Sequence, residues 1–198
     1  KSTKRIMQAM KMIATVKYAK TQVMISSFRP YFDAYSKIIK TVSKMSTKNG
    51  EKYLKPRESK NDLLILISSD RGLCGSYNSN LFRNIERDEK EFGAKLFIGK
   101  KGKDYFKDDN FIDRDISFTE KDFLEVSKEI SPIILEKFLN QEVDNVYIGY
   151  NKFISAISQD PSIVRVLPFD LEDDDNDSVS DVLIEPDVES FVDIIFPQ

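Results

Sequence analysis

The first 45 residues of this chain contain no glycine and a single proline, Pro30. Apolar residues recur through this stretch at helical spacing, and Ser2 or Thr3 is suited to cap its start. The pattern therefore predicts one long helix from about Ser2 to Met45, a rod of about 65 Å at a rise of roughly 1.5 Å per residue. Because Pro30 lacks a backbone N–H group, we expect a bend or a local defect there.

The second half of the predicted helix carries a regular 4-3 apolar repeat, which is typical of a coiled-coil seam. The residues of this seam are Met24, Phe28, Tyr31, Tyr35, Ile38, Val42 and Met45. The first half has a looser apolar stripe that includes Met10 and Ile13 and is decorated with lysines. A striped helix longer than a small domain is wide needs a partner helix or an enclosing sleeve. The alternative is a long helix in the core of one domain.

Charge is strongly polarised along the chain. Residues 1–48 contain 11 Lys and Arg against one acidic residue, Asp33, a net charge of +10, whereas residues 169–198 contain 11 acidic residues and no basic one, a net charge of −11. Each run is either a solvated face or a surface for a charged partner. A basic helix could also bind the phosphates of a nucleic acid. The positions of its aromatic residues, however, are explained better by the apolar seam than by a platform for stacking bases.

The pattern changes after a polar segment, residues 47–61, that predicts a linker. The apolar run Leu63–Ile67 predicts a strand buried on both faces. Further strands are predicted at 94–98, 112–117, 143–150, 163–167 and 182–184, and helices at 78–92, 99–106, 119–139 and from 187 onward. This alternation predicts an α/β domain with a mostly parallel sheet and flanking helices, residues 49–198, beside the helical unit of residues 1–48.

Composition and loop motifs argue against an active site. The chain has no histidine and one cysteine, Cys74, which excludes histidine-dependent triads, histidine metal ligands and an internal disulfide. The loop Ser69–Gly75 lies between a strand and a helix, where open α/β sheets bind nucleotides. It lacks both the G-x-G-x-x-G spacing and a Walker lysine, so a tight structural turn is the favoured interpretation, with Cys74 as a packed or incidental thiol.

Two further motifs give only weak indications of a binding site. Lys100 and Lys101 lie in a glycine-flanked turn, Gly99–Gly102, that is a weak phosphate motif. The acidic run of residues 172–177 lacks the central glycine and the terminal glutamate of a calcium loop. We therefore expect no catalytic residue, no metal site and no cofactor.

Five segments, in order along the chain, resemble the gamma subunits of F-type ATP synthases. They are Met10–Ala14 with Lys17 and Lys20, Ser69–Gly75 with Asn78–Asn80, Gly99–Gly102, Tyr150–Phe153, and Glu185–Asp187. The resemblance covers essentially the whole chain. It implies a Rossmann-like α/β domain that binds no nucleotide, and an N-terminal helix that forms half of an antiparallel coiled coil. The family's second long helix is expected beyond Gln198.

The resemblance implies the function of a central-stalk rotor without an active site of its own. Such a rotor couples ion-driven rotation of a membrane ring to ATP synthesis or hydrolysis. The implied partners are the alpha and beta subunits of the F1 ring, an epsilon-type or delta-type central-stalk subunit, and the c-ring, with no nucleic acid. The implied location is a peripheral membrane complex, attached only through partners, on the cytoplasmic face of a bacterial plasma membrane or the matrix face of the mitochondrial inner membrane.

The resemblance also implies roles for particular residues. Met10 and Ile13 would line the shaft. Acidic groups of the beta subunits would face Lys11, Lys17 and Lys20, and a beta loop would contact Asp70 and Arg71. The alternatives are a Rossmann-type nucleotide-binding protein and a nucleic-acid-binding protein that uses its basic helix.

Overall fold

The structure, a computed structural model, describes residues 2–43, 48–55, 57, 60–107, 123–169, 187 and 190. The chain forms two compact units, Lys1–Met45 and Ser46–Gln198. The first unit consists of a helix, and the second contains a sheet with helices.

The helical unit is a single helix, α1, that runs from Ser2 to Ser43 over 42 residues. The predicted long N-terminal helix is therefore confirmed. Pro30 deprives the Ser26 carbonyl of its usual helical donor, yet the helix continues through it without interruption. Threonine hydroxyls along the helix donate to carbonyls four residues earlier, as from Thr15 to Lys11 at 2.9 Å, so these polar side chains are satisfied locally.

Most of the apolar side chains of α1 are open to solvent. Ten of them are between 55 and 71% exposed: Ile6, Met7, Met10, Met12, Ile13, Val16, Val23, Ile25, Tyr31 and Phe32. Within the predicted seam, Tyr31 and Ile38 are exposed, Met24, Phe28 and Tyr35 are partly buried, Val42 is buried, and Met45 lies outside the described residues. The Tyr31 ring contacts those of Phe28 and Tyr35, with centroids 5.4 and 6.0 Å apart. The pairing of this seam with a second helix stays a prediction.

A short helix, α2, spans Lys48–Leu54, where the sequence predicted only a linker. That prediction was wrong for these residues. Gly50 weakens a helix by about 1 kcal/mol relative to alanine, but burial of Tyr53, which is 3% exposed, offsets this cost. The Tyr53 carbonyl also accepts the Phe169 N–H at 2.9 Å.

The second unit contains a sheet of four strands in the order β2-β1-β3-β4. They are β1 (Asp62–Ile67), β2 (Phe92–Ile98), β3 (Val146–Ser155) and β4 (Ser158–Leu167). Strand β1 is parallel to β2 and β3, and β4 is antiparallel to β3. The antiparallel pair follows from the two-residue loop between β3 and β4, because a parallel partner needs a long crossover. The described flanking helices are α3 (Tyr77–Arg87), α4 (Lys100–Phe106) and α5 (Phe123–Leu139). The predicted α/β class is confirmed.

The central strand β1 is buried on both faces, as its continuous apolar run predicted. Leu63, Leu64 and Leu66 are each 0% exposed. Leu64 and Leu66 form one core cluster with α3 and the neighbouring strands, completed by Leu81, Phe82, Ile85, Phe97 and Tyr147. Because β1 is fixed from both sides, the loop at its carboxyl end starts from a rigid position.

Several predicted boundaries need correction. The helix predicted over 78–92 ends at Arg87, where Asp88 adopts an extended conformation and its carboxylate accepts the Lys90 N–H at 3.0 Å. Phe92 instead begins β2 and pairs with Asp62. The predicted strands at 112–117 and 182–184 and the predicted helix cap at 119–122 lie outside the described residues. At the predicted C-terminal helix start, Asp187 accepts the Ser190 N–H at 2.8 Å, which is the contact of a helix cap.

Candidate functional site

The loop that follows β1, Ser69–Ser76, is held together by one side chain of α3. The Asn78 carboxamide accepts the Ser69 N–H at 3.1 Å and donates to Ser69 Oγ at 2.7 Å and to Cys74 Sγ at 3.3 Å. Ser69 Oγ in turn donates to the Arg71 carbonyl at 2.7 Å. Both ends of the loop are thus tied to the start of α3, and the loop is the tight turn that its sequence predicted.

The start of α4 packs against the same loop through its backbone. Its first three N–H groups all donate to the segment after β1. They belong to Lys100, Lys101 and Gly102, and their acceptors are Asp70 Oδ1, Ser69 O and Ser68 Oγ, at 3.3, 3.0 and 2.8 Å. A phosphate bound at a helix N-terminus needs such groups free. On α4 they are taken, and the Asp70 carboxylate occupies the position that an anion would need.

The glycines around Lys100 and Lys101 are explained by close packing rather than by a ligand. Gly99 has a φ of +91°, and a Cβ atom there would lie 2.2 Å from the Ser68 carbonyl oxygen. At Gly102 a Cβ atom would meet the Leu66 side chain at 3.1 Å. Only residues without a side chain let α4 approach the end of β1 this closely.

Leu73, at the tip of the loop, combines an unusual backbone with complete exposure. Its φ is +64°, in the left-handed region, and its side chain is 98% exposed. That conformation costs a non-glycine residue about 1–2 kcal/mol. Arg71 beside it is also exposed, and its guanidinium contacts no acceptor in the described part of the chain. The loop therefore presents an apolar and a cationic side chain to solvent.

An open cleft of about 440 Å³ lies between this loop, α3 and α4. The rings of Phe82 and Tyr105, with centroids 4.6 Å apart, form an apolar wall. The Tyr105 hydroxyl donates to Glu86 Oε1 at 3.0 Å, and this hydrogen bond raises the pKa of Tyr105. The exposed Cys74 thiol lines the cleft without a histidine or a lysine bonded to it. The cleft fits contact with another molecule better than acid–base chemistry.

The β3–β4 hairpin projects from the same edge of the sheet as the loop. Strand β1 pairs with β3 only as far as Gly149, so the rest of β3 pairs with β4 alone as a two-stranded ribbon. Because β1 and β3 are parallel, both carboxyl ends lie at one edge. The ribbon tip exposes Phe153, Ile154 and Ile157, at 51, 58 and 95%. Asn151 Nδ2 donates to the Tyr77 carbonyl at 3.0 Å, which joins the ribbon to the start of α3.

The structure places the predicted site residues in two groups. Met10, Lys11, Ile13, Lys17 and Lys20 are exposed on α1, and no ion pair involves these lysines among the described residues. The second group, Asp70 and Arg71, lies together on the loop after β1. The Asp70 carboxylate is engaged by the Lys100 N–H, whereas the Arg71 side chain faces outward. The partner contacts assigned to all seven stay predictions.

Sequence reasoning did not single out Leu73, Phe153 or Ile157 as exposed apolar residues. Leu73 and Phe153 belong to the segments that carry the family resemblance, and that was their only signal. Among the described residues, no helix is both long and apolar enough to cross a bilayer. Over the same residues, no cluster of three or more acidic or cysteine side chains is placed to hold a metal ion.

Known proteins similar to this chain agree on one family. The family profile described as ATP synthase matches residues 1–198. The ATP synthase gamma chain of Glaesserella parasuis is 32% identical over 214 residues, covering 98% of this chain and 71% of that relative. That of Staphylococcus carnosus is 35% identical over 212 residues, covering 100% and 73%.

A solved structure shares the fold. In the central stalk and c-ring of the Tetrahymena thermophila mitochondrial ATP synthase, one chain matches with a TM-score of 0.71 at 23% identity, over 97% of this chain and 86% of that one. The full-length profile match and relatives above 30% identity confirm the resemblance found in the motifs. The chain therefore belongs to the family of ATP synthase gamma chains.

Proposed function

We propose that this chain is the central-stalk rotor of an F-type ATP synthase, coupling ion-driven rotation of a membrane ring to ATP synthesis or hydrolysis in a ring of alpha and beta subunits. The observation that carries the proposal is α1, a helix of 42 residues with ten large apolar side chains at least 55% exposed. Exposure of so much apolar surface is unfavourable in water and marks a contact surface. A second helix and an enclosing sleeve of subunits would cover it.

The shaft would act through contacts that change as it turns. Met10 and Ile13 offer an apolar bearing surface, and Lys11, Lys17 and Lys20 offer cations to acidic groups of the beta subunits. An asymmetric shaft stabilises one conformation of the neighbouring subunit over another, which is the free-energy difference that coupling requires. The exposure of these side chains on α1 supports this assignment.

The carboxyl edge of the sheet would form a second contact with the catalytic ring. Arg71 and Leu73 project from a loop that Asn78 holds rigidly, so their positions are fixed before any partner arrives. Asp70 acts differently in this proposal, because its carboxylate anchors the start of α4. It would shape the loop that touches the beta subunit, and Arg71 would make the ionic contact.

The α/β unit would form the foot of the stalk. Its partners there are an epsilon-type or delta-type subunit and the c-ring, and the membrane is reached only through them. The complex would lie on the cytoplasmic face of a bacterial plasma membrane or the matrix face of the mitochondrial inner membrane. The chain contributes no active site in this proposal. Its lack of histidine and the occupied N–H groups at the start of α4 support that part.

The test is charge reversal on the shaft in the assembled complex. We expect Lys17→Glu with Lys20→Glu to lower torque and the number of ions pumped per ATP several-fold, because the acidic partner groups would then be repelled. The matched control is Lys55→Glu with Lys128→Glu, which makes the same change in net charge at exposed lysines of the α/β unit. The control complex should rotate and pump normally.

Stability must be measured beside rotation. The denaturation midpoint of the isolated chain should be the same for both double variants, since all four lysines are exposed. Normal torque in the Lys17/Lys20 variant would remove the proposed contact with the beta subunits.

A further inference from the structure

We propose that the cleft between α3 and β4 binds a carboxylate-bearing segment of a neighbouring subunit in the assembled complex. The cleft has a volume of about 230 Å³. Its lining consists of a single face of α3 and one residue of β4: Asn80, Arg83, Asn84 and Arg87, with Pro161. The α3 residues follow the i, i+3, i+4, i+7 spacing of one helix face, so both guanidinium groups point to the same side.

Arg83 is oriented before any ligand binds. Its Nε donates to the Ser79 carbonyl at 3.1 Å, and its Nη2 donates to Asn80 Oδ1 at 3.2 Å. Asn80 is fixed in turn, because its Nδ2 donates to Ser76 Oγ at 3.2 Å. A guanidinium group held in this way keeps further N–H donors for a ligand and loses less side-chain entropy when the ligand binds.

Arg87 carries a charge that the described chain does not neutralise. It contacts no acceptor there, and the acidic residues beside it are already engaged. Glu86 accepts the Tyr105 hydroxyl at 3.0 Å, and Asp88 pairs with Lys90 at 3.3 Å. Two cations four residues apart on a helix repel each other. A carboxylate between them would add two attractive contacts that offset this repulsion.

A hydrogen bond joins the two walls of the cleft, and the β4 backbone offers no donor at Pro161. Asn84 Nδ2 donates to the Pro161 carbonyl at 3.3 Å, which joins α3 to β4. Pro161 has no N–H group, so β4 cannot donate to an added strand at this position. Recognition would therefore depend on the two guanidinium forks, whose planar geometry matches carboxylates.

The charge of the cleft favours a protein carboxylate over a membrane surface. Binding to anionic lipid is typical of clusters of four to eight basic residues, and two arginines fall short of that number. The chain belongs to a family of subunits of a multi-subunit enzyme, so acidic side chains of neighbouring subunits are available. The inference needs only this membership and does not depend on the contacts proposed for α1 or for the loop after β1.

The first experiment identifies the occupant in the purified complex. Arg87→Lys keeps the positive charge and supplies a primary amine, which a carbodiimide joins directly to a carboxylate in contact with it. We expect a cross-link, mapped by mass spectrometry, from the lysine introduced at position 87 to an Asp or Glu of another chain. If no such cross-link forms while other links between subunits form normally, the inference is overturned.

The second experiment measures the contribution of the charges. Arg83→Glu with Arg87→Glu should weaken retention of the chain in the complex about tenfold at moderate salt. Lys55→Glu with Lys128→Glu is the control, with the same change in net charge elsewhere on this unit. An unchanged unfolding midpoint of the isolated Arg83/Arg87 variant would show that its fold is intact. Unchanged retention would then overturn the inference.

Two further measurements test other anions. Vesicles containing phosphatidylserine should bind the native complex and the Arg83/Arg87 variant equally. If only the native complex bound these vesicles, and if the native chain and the variant were retained equally in the complex, the cleft would be assigned to a membrane instead. Inorganic phosphate at millimolar concentration should not protect Arg87 from an arginine-selective reagent in the isolated chain. Protection would assign the cleft to free phosphate and would also overturn the inference.

Discussion

Leu73 is the residue whose unfavourable backbone conformation most clearly indicates a contact with another subunit. Its φ of +64° and 98% exposure bring no benefit within the described structure. Asparagine tolerates the left-handed region better, so we expect Leu73→Asn to raise the free energy of unfolding by up to about 1 kcal/mol. We also expect it to lower the ions pumped per ATP. Urea denaturation and a pumping assay measure the two effects, and a stabilised variant with normal pumping would contradict a contact role.

Gly99 shows the opposite case, a residue required by the fold. Gly99→Ala places a Cβ atom 2.2 Å from the Ser68 carbonyl oxygen at a φ of +91°. We expect it to lower the free energy of unfolding by about 2–3 kcal/mol, because backbone must move. Gly72→Ala is the matched control, since no atom lies within 4 Å of its added Cβ. Equal denaturation midpoints for the two variants would show that α4 is not packed as described.

At the scale of elements, Arg57 joins the segment before β1 to the end of α5. Its Nη1 donates to the carbonyls of Phe138 and Val143 at 2.7 and 3.3 Å, and its guanidinium lies 4.1 Å from the centre of the buried Phe138 ring. A cation also suits the carbonyl end of a helix. We expect Arg57→Met to lower the free energy of unfolding by about 1–3 kcal/mol. In the same denaturation series, Lys55→Met, at an exposed position, should cost little.

The start of α4 gives a prediction about ligands. Because the loop before α3 lacks the G-x-G-x-x-G spacing and a Walker lysine, and the first three N–H groups of α4 are already bonded, we expect isothermal titration with ATP, ADP or NAD to show no binding to the chain. Asp70→Asn removes the negative charge but keeps an acceptor, and it should not create binding. Heat from stoichiometric nucleotide binding in the native chain would support the Rossmann-type alternative instead.

Elements that are indicated by a continuous pattern of residue types could be predicted from the sequence. The glycine-free helix and the apolar run of β1 are such cases, because the pattern that indicates each of them lies in consecutive residues of the chain. Helix α2 could not be predicted, since its support is tertiary: the burial of Tyr53 and the bond from Phe169 to its carbonyl. The two-stranded ribbon beyond Gly149 could not be predicted from the sequence either, because it depends on where β1 stops pairing with β3.

In the candidate site, too, local features could be predicted from the sequence and tertiary contacts could not. Glycines and polar residues after β1 predicted a turn, and the motif itself indicated the family. That Asp70 anchors α4 while Arg71 faces outward depends on how α4 docks, some 30 residues later in the chain. The cleft between α3 and β4 likewise combines residues of α3 with Pro161, so no local pattern could show it.

At the scale of the whole molecule, we expect the two units to have different roles. The second unit would fold around its own core, and the first would couple rotation to the catalytic ring. The core cluster that joins β1, α3 and the neighbouring strands lies between Leu64 and Tyr147, wholly within the second unit. We therefore expect a chain lacking residues 1–45 to unfold cooperatively, as followed by circular dichroism, because each buried large apolar side chain contributes about 1.5–3 kcal/mol. Added to alpha and beta subunits, it should support no rotation. If the shortened chain fails to fold, the second unit depends on the helix, and α1 has a structural role beside its proposed role as a shaft.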